Sequence, residues 1–286
     1  MKRTLAALLC VSALLSPAAL ATGAPQVEAA AAVLMEKETG AVLCGQNPHD
    51  KREPASVTKV MTLLLVMEAL DEGRIALTDP VSVSAHAAAM GGSQVYLKEG
   101  EQMSVEELIK AVAVVSGNDA AVALAEHLAG SEDAFVEQMN LRAQELGLEH
   151  THFTNCTGLE ASDHYASAAD IAHLLDTALE NETFRQVFTS RSHTTAATGE
   201  HPQGFTMYSS MFSRLDAIPG QGGELLGGKT GYTSQAWLCL ASLMEVEGRE
   251  YILVTTGAPG DHSTEPYHLL DALEIFRQLR DGSLSA

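Results

Sequence analysis

The sequence predicts a mixed α and β fold, in which one antiparallel sheet built from both ends of the chain is covered by helices and carries an inserted helical lobe. Three observations support this prediction. Strand-like segments lie at residues 31–44 and 236–256, a long helical stretch separates them, and no internal repeat or low-complexity linker divides the chain. With 286 residues, the chain is long enough to bury one large core.

The first half of the chain contains two predicted strands and then helices. Residues 31–36 and 40–44 have strand patterns around a hairpin turn, and residues 57–70 have apolar side chains on nearly all sides at helical spacing. A helix that is apolar all round should be buried. Further helices are predicted over residues 105–115, 119–128, 132–146 and 168–179, with glycines at 117, 130 and 147 between them.

The second half returns to strand patterns and closes with a helix. Residues 236–246 and 249–256 predict an antiparallel hairpin around Glu247 and Gly248. Residues 266–280 predict an amphipathic helix with leucine and phenylalanine on one side. Acidic residues accompany its only two arginines, so we expect this helix to pack on the sheet rather than to bind a membrane.

The first residues have the pattern of a secretory leader. Lys2 and Arg3 precede an uncharged apolar run, and Ala19-Leu20-Ala21 is a small-x-small site of the kind that signal peptidase reads. We expect a signal peptide over residues 1–21, cleaved after Ala21 or a few residues later, and a protein that works outside the cytoplasm; the alternative is a retained membrane anchor. Residues 22–286 are expected to form a single catalytic domain.

The charge of the chain restricts its partners. The 37 acidic residues against 17 basic ones give a formal net charge of −20. Such a surface repels phosphate, which argues against nucleic acid as a partner. An anionic substrate would therefore have to be bound by a local cationic site.

The cysteines and histidines predict no metal site. Cys44, Cys156 and Cys239 remain after the leader and are too widely spaced for a Cys-x-x-Cys pair. We expect buried free thiols, with one disulfide and a leftover thiol as the alternative. His150 and His152 form the only close histidine pair and have no third ligand at a suitable spacing.

Three short motifs carry the chemistry. Ser56 and Lys59 are three residues apart at the start of the buried helix, which places hydroxyl and amine side by side. The positive end of a helix favours a developing alkoxide and disfavours a protonated amine. The second motif is Ser116-Gly-Asn118, at a break between two predicted helices, and the third is Lys229-Thr-Gly231, before the predicted strand at residue 236.

Each motif alone is weak evidence, since Ser56 could be a helix cap and Ser116 part of an ordinary loop. Their joint occurrence in this order is much stronger, because it is the serine acyl-transfer set of penicillin-binding proteins and class A β-lactamases. The stretches REPASVTKVMT (52–62), SGNDAAVALA (116–125) and GKTGYT (228–233) resemble the low-molecular-mass D-alanyl-D-alanine carboxypeptidases, peptidase family S11. THFTN (151–155), with Gly158-Leu159, and YASAAD (165–170) do so too, and the resemblance spans roughly residues 28–260.

The resemblance implies the DD-peptidase and β-lactamase-like fold, with the active site between the sheet and an all-α lobe. It also implies a role for each matching residue, with no metal or organic cofactor. Ser56 would be the nucleophile, Lys59 its general base and Ser116 the group that passes a proton to the leaving D-alanine. The implied substrate-binding groups are Asn118 for the peptide carbonyl, Lys229 and Thr230 for the terminal carboxylate, and Gly231 and Tyr232 beside them, with the backbone N–H groups of Ser56 and Tyr232 as the oxyanion hole.

The resemblance further implies a peptidoglycan stem peptide ending in D-Ala-D-Ala as substrate and β-lactams as inhibitors. Two departures stand out: Trp237 occupies a position where many members have glycine, and the β-rich second domain of many relatives is not expected here. Two alternatives remain. A class A β-lactamase needs a Glu-x-x-x-Asn spacing that is absent between Ser116 and Lys229. A non-catalytic peptidoglycan-binding protein would not need all three motifs intact.

Overall fold

A computed structural model describes residues 26–218 and 225–284 of the chain. The predicted leader over residues 1–21 lies outside the described residues. The strands are β1 (Ala31–Glu36), β2 (Val42–Gln46), β3 (Pro80–Ser82), β4 (Gln102–Ser104), β5 (Ser192–Thr194), β6 (Thr206–Tyr208), β7 (Leu225–Thr233), β8 (Trp237–Val246) and β9 (Arg249–Ala258). The α-helices are α1 (Lys59–Asp71), α2 (Ala85–Ala88), α3 (Val105–Val115), α4 (Asn118–Ala129), α5 (Glu132–Glu145), α6 (Ala168–Ala178), α7 (Glu182–Phe188), α8 (Ser210–Leu215) and α9 (Tyr267–Arg280).

Five strands from both ends of the chain form one antiparallel sheet, in the order β2-β1-β9-β8-β7. This confirms the predicted fold class. β3 pairs with β4 and β5 with β6 in two small separate ribbons. The strand β7 lies at one edge of the large sheet, which leaves its outer side available to a ligand.

The sheet separates two hydrophobic cores, because successive side chains of a strand point to opposite faces. Val33 and Val254 belong to the core shared with α1 and the helical lobe. Their neighbours Leu34 and Leu253 belong to the core beneath α8 and α9. The closing helix α9 packs on β8 and β9, as its amphipathic pattern predicted.

The predicted helices and strands are confirmed, and most of their ends agree with the structure to within about two residues. The main element that the sequence analysis did not predict is β7. The sequence LLGGKTGYT contains three glycines, which are depleted in strands, and the Lys229 motif was predicted only to precede the strand at residue 236. Pairing along β8 holds this segment extended from Lys229↔Ala241 to Thr233↔Trp237. Its glycines permit close packing, since a Cβ at Gly228 would lie 2.4 Å from the sulfur of Met211.

Two further sequence expectations can be compared with the structure. Cys44, Cys156 and Cys239 are buried free thiols within the described part of the chain. Of the helices in residues 26–218 and 225–284, none combines the length and apolarity needed to cross a membrane.

Candidate active site

Ser56 lies in a short 3-10 turn, Ala55–Thr58, that leads into α1. The sequence had placed it at the start of a helix predicted over residues 57–70, and the α-helix itself begins at Lys59. Ala55 has φ +46°, a left-handed conformation that bends the chain so that the turn faces β7. A Cβ at Gly231 of β7 would lie only 3.0 Å from the Ser56 backbone nitrogen, so glycine is needed for this close approach.

Lys59 is fully buried, and its amine points at the serine. Its Nζ donates to Ser56 Oγ at 3.0 Å and to the Thr157 carbonyl at 2.6 Å. Burial lowers the pKa of Lys59 to about 7, against the weaker raising effects of Cys156 and Asp119. A large share of the amine is therefore neutral near pH 7 and able to accept a proton.

A second serine–lysine pair faces the first. Ser116 ends α3 in the left-handed conformation, with φ +65°, and its hydroxyl accepts a hydrogen bond from Lys229 Nζ at 2.8 Å. Lys229 also donates to the Thr230 carbonyl at 2.9 Å. Burial and the neighbouring Lys59 hold the pKa of Lys229 well below its ordinary value. The described hydrogen-bond partners of its amine are a hydroxyl and a carbonyl, and neither is a carboxylate that could act as a counter-ion.

Asn118 is held at the start of α4 by the loop before it. Its Nδ2 donates to the Gly91 carbonyl at 2.6 Å, and its backbone nitrogen donates to the Ser93 carbonyl at 2.7 Å. Its Oδ1 is buried without a hydrogen-bond partner in the described protein. A buried acceptor of this kind, with one amide hydrogen still free, is suited to a polar ligand.

The motif residues gather around one cleft. Thr230 Oγ1 lies 2.9 Å from Ser210 Oγ, and Lys59 and Lys229 stand behind the two serines that face the opening. The lining consists of Ser56, Ser93, Ser116, Ser210, Arg214, Thr230, Gly231, Tyr232, Leu238, His262 and His268. Seven of the eight residues that the sequence singled out line this cleft or bond directly through their side chains to a lining serine. The eighth, Asn118, adjoins the cleft through its backbone bond to Ser93.

Sequence reasoning missed the group at one end of this cleft. Arg214 Nη2 lies 2.6 Å from His262 Nδ1, and the His262 ring packs on Tyr232 with centroids 4.7 Å apart. His268 is buried, and burial lowers its pKa to about 3. These residues lie on α8, α9 and the loop before α9, without a motif that the sequence could have displayed.

Trp237 begins β8 beside the cleft, opposite Thr233. Its φ is +59°, and 47% of its surface is exposed. The left-handed backbone explains why glycine suits this position, since a bulky residue is strained there. Leu238, and not Trp237, lines the cleft itself.

Comparison with known proteins matches this architecture to one family. The family model described as D-alanyl-D-alanine carboxypeptidase, peptidase S11, matches residues 18–260. The chain belongs to this family.

Individual relatives agree with that assignment. The chain is 41% identical to D-alanyl-D-alanine carboxypeptidase DacF of Bacillus subtilis over 85% of its own length, but spans only 61% of that relative. It superposes on penicillin binding protein 5 of Haemophilus influenzae with a TM-score of 0.78 and 32% identity, covering 90% of this chain and 72% of that one. A mutant of the Streptomyces K15 DD-transpeptidase matches with a TM-score of 0.78 and 26% identity, covering 88% of this chain and 98% of the other.

Proposed function

We propose that this protein is a serine-type D-alanyl-D-alanine carboxypeptidase, which removes the terminal D-alanine from peptidoglycan pentapeptides and is acylated by penicillins. The observation that carries the proposal is the pair of serine–lysine contacts around one cleft, Ser56 with the buried Lys59 and Ser116 with the buried Lys229. Family membership adds support, because the S11 relatives are named for this activity.

Acylation begins at Ser56. The neutral Lys59 amine takes the hydroxyl proton, and Oγ attacks the carbonyl carbon of the penultimate D-alanine. Backbone N–H groups of Ser56 and Tyr232 stabilise the resulting oxyanion, and the closeness of β7 to the serine turn supports this placement. Asn118 binds the peptide carbonyl of the substrate.

The tetrahedral intermediate then collapses. The C–N bond breaks, the leaving D-alanine nitrogen takes a proton from Ser116, and Ser116 regains one through Lys229 and Lys59. Water later attacks the Ser56 ester, releasing the shortened peptide and restoring the hydroxyl. These steps use side chains of the protein and require neither a metal nor an organic cofactor.

The terminal carboxylate of the substrate binds at Lys229 and Thr230. Because burial disfavours the charged form of Lys229, an arriving carboxylate supplies the missing counter-charge and promotes protonation of the amine. Arg214 lines the same cleft, on the helix whose Ser210 bonds to Thr230, and adds a permanent cation. This local site overcomes the overall negative charge of the chain.

We propose further that the protein acts outside the cytoplasm, on the cell wall, and that residues 1–21 are the leader that exports it. In this proposal residues 22–286 form the single catalytic domain.

The test is D-alanine release from a pentapeptide ending in D-Ala-D-Ala, followed by mass spectrometry, for the parent and Ser56→Ala. The parent should release one alanine, and Ser56→Ala none. The same samples are then treated with penicillin. A long-lived adduct supports the carboxypeptidase, whereas rapid release of hydrolysed penicillin supports a β-lactamase. A protein that reacts with neither the pentapeptide nor penicillin would be a non-catalytic binding protein. Retained release by Ser56→Ala would refute the mechanism.

A further inference from the structure

The turn over residues 155–159 sets the position of Lys59. Its Thr157 carbonyl accepts a hydrogen bond from Lys59 Nζ at 2.6 Å, the shorter of the two bonds that the amine makes. The same turn presses on the serine turn, since a Cβ at Gly158 would lie 1.8 Å from the Ala55 carbonyl oxygen. A shift of this turn would therefore move the base and the nucleophile together.

Asn155 organises the turn. Its Oδ1 accepts three hydrogen bonds, from the Thr157 backbone nitrogen at 3.1 Å, the Thr157 hydroxyl at 3.0 Å and the Gly158 nitrogen at 2.7 Å. Its Nδ2 donates to the Leu159 carbonyl at 2.9 Å. An aspartate has the same shape and could accept the same three bonds, so what the asparagine adds is the fourth bond and the absence of charge.

Several charged and titratable groups surround Lys59. Among the described contacts, none brings a carboxylate into hydrogen-bond contact with its amine. Asp119 of α4 is occupied by the backbone N–H groups of Val95, Leu97 and Ala120. Lys229 of β7 lies near enough to Lys59 for the Lys59 charge to help lower the pKa of Lys229, after the larger effect of burial.

The loop that carries Cys156 and the helix behind it add further titratable groups to this environment. Cys156 is buried, and burial raises its pKa well above the ordinary value, which keeps the thiol neutral. Behind it, Glu132 accepts the Cys156 N–H at 3.0 Å and faces His86 at 2.9 Å. His164 accepts the Thr154 N–H at Nδ1 and is neutral because burial lowers its pKa to about 4.

We propose that Asn155 is a positioning residue for Lys59: it shapes the turn that presents the Thr157 carbonyl to the amine, and it does so with an uncharged acceptor that leaves the amine free to be neutral. This inference rests on the proposed function, because it matters only if Lys59 acts as the base. An anion at position 155 would favour the protonated amine.

The test is the pH dependence of acylation by a fluorescent penicillin in Asn155→Asp. The new charge raises the pKa of Lys59, so the neutral base exists only at higher pH, and the acid limb of the rate profile should move up by about 1 pH unit. Asn140→Asp is the matched control. Asn140 also holds this segment, through Phe153 at 2.8 and 2.9 Å, but does not contact the 155–159 turn. Its acid limb should stay in place.

A second variant separates position from charge. Asn155→Ser cannot make the full set of four bonds and adds no charge, so its plateau rate should fall about tenfold or more without a shift of the acid limb. If Asn155→Ser acylates at the parent rate, the positioning role is wrong, whether or not the aspartate variant folds. If Asn155→Asp folds and its acid limb matches that of Asn140→Asp, the electrostatic role is wrong. If the parent itself fails to acylate, the proposed function fails instead.

Discussion

Gly158 offers a sharp test of how the base and the nucleophile are held together. It has φ +82°, and a Cβ built on it would lie 1.8 Å from the Ala55 carbonyl oxygen and 2.9 Å from Thr58 Oγ1. The Gly158→Ala variant must therefore shift backbone on one side of the active site. A shift on the Ala55 side moves the nucleophile, because Ala55 precedes Ser56 directly, and a shift on the Gly158 side moves the Thr157 carbonyl that holds Lys59.

The expected loss of folding stability in Gly158→Ala has two parts. A left-handed alanine costs about 1–2 kcal/mol, and forcing a methyl group into packed backbone costs about 1–3 kcal/mol more. Gly130→Ala isolates the first part, since Gly130 has nearly the same φ, +85°, with nothing within 4 Å of its Cβ position. The difference between the two variants should therefore be about 1–3 kcal/mol.

Urea unfolding measures the stability difference, and the rate of labelling by a fluorescent penicillin measures the effect on the site. A displacement of about 1 Å can cost about a hundredfold in rate, so Gly158→Ala should label about a hundredfold more slowly, while Gly130→Ala should label like the parent. The reasoning is refuted if Gly158→Ala is no less stable than Gly130→Ala and also labels at the parent rate.

Three further results are expected. Trp237→Gly should be more stable to urea than Trp237→Ala by about 1 kcal/mol, because both remove the ring but only glycine relieves the left-handed backbone; equal stability would contradict that backbone conformation. The acylation rate should fall as the pH drops through about 7, where Lys59 gains its proton, and a flat profile down to pH about 5 would require a different base. Lys59→Met should lose acylation yet gain about 2 kcal/mol of stability at pH 7, since burying the amine costs more than its two hydrogen bonds return. Between pH 7 and 10.5 the Lys59 amine is protonated in the unfolded parent but neutral in the folded parent, so the free energy of unfolding of the parent rises with pH. In Lys59→Met this free energy should rise less steeply over the same pH range. Equal slopes would contradict the buried neutral amine.

Local spacing made much of the site predictable. Ser56 and Lys59 are adjacent because any helical turn brings residues three apart together, and Ser116 lies at a helix break that its Gly117 marked. Strand-like runs on either side of Glu247 and Gly248 likewise predicted the central hairpin, and an apolar face at helical spacing predicted the closing helix.

The features of the fold and site that the sequence did not predict depend on contacts between segments that are distant in the chain. The strand around Lys229 forms because β8 pairs with it, against the low strand propensity of its glycines. The Thr157 carbonyl carries no side-chain signature, although it makes the shortest contact to the Lys59 amine. Arg214 reaches the cleft only through the packing of α8 on β7.

The central claim is that Ser56 forms the acyl-enzyme, and covalent trapping tests it most directly. The protein is mixed with a penicillin, its intact mass is measured, and the modified residue is located by peptide mapping. The account predicts a single adduct with the mass of the whole penicillin on Ser56, and no adduct in Ser56→Ala. An adduct on another residue, or labelling that persists in Ser56→Ala, would contradict it.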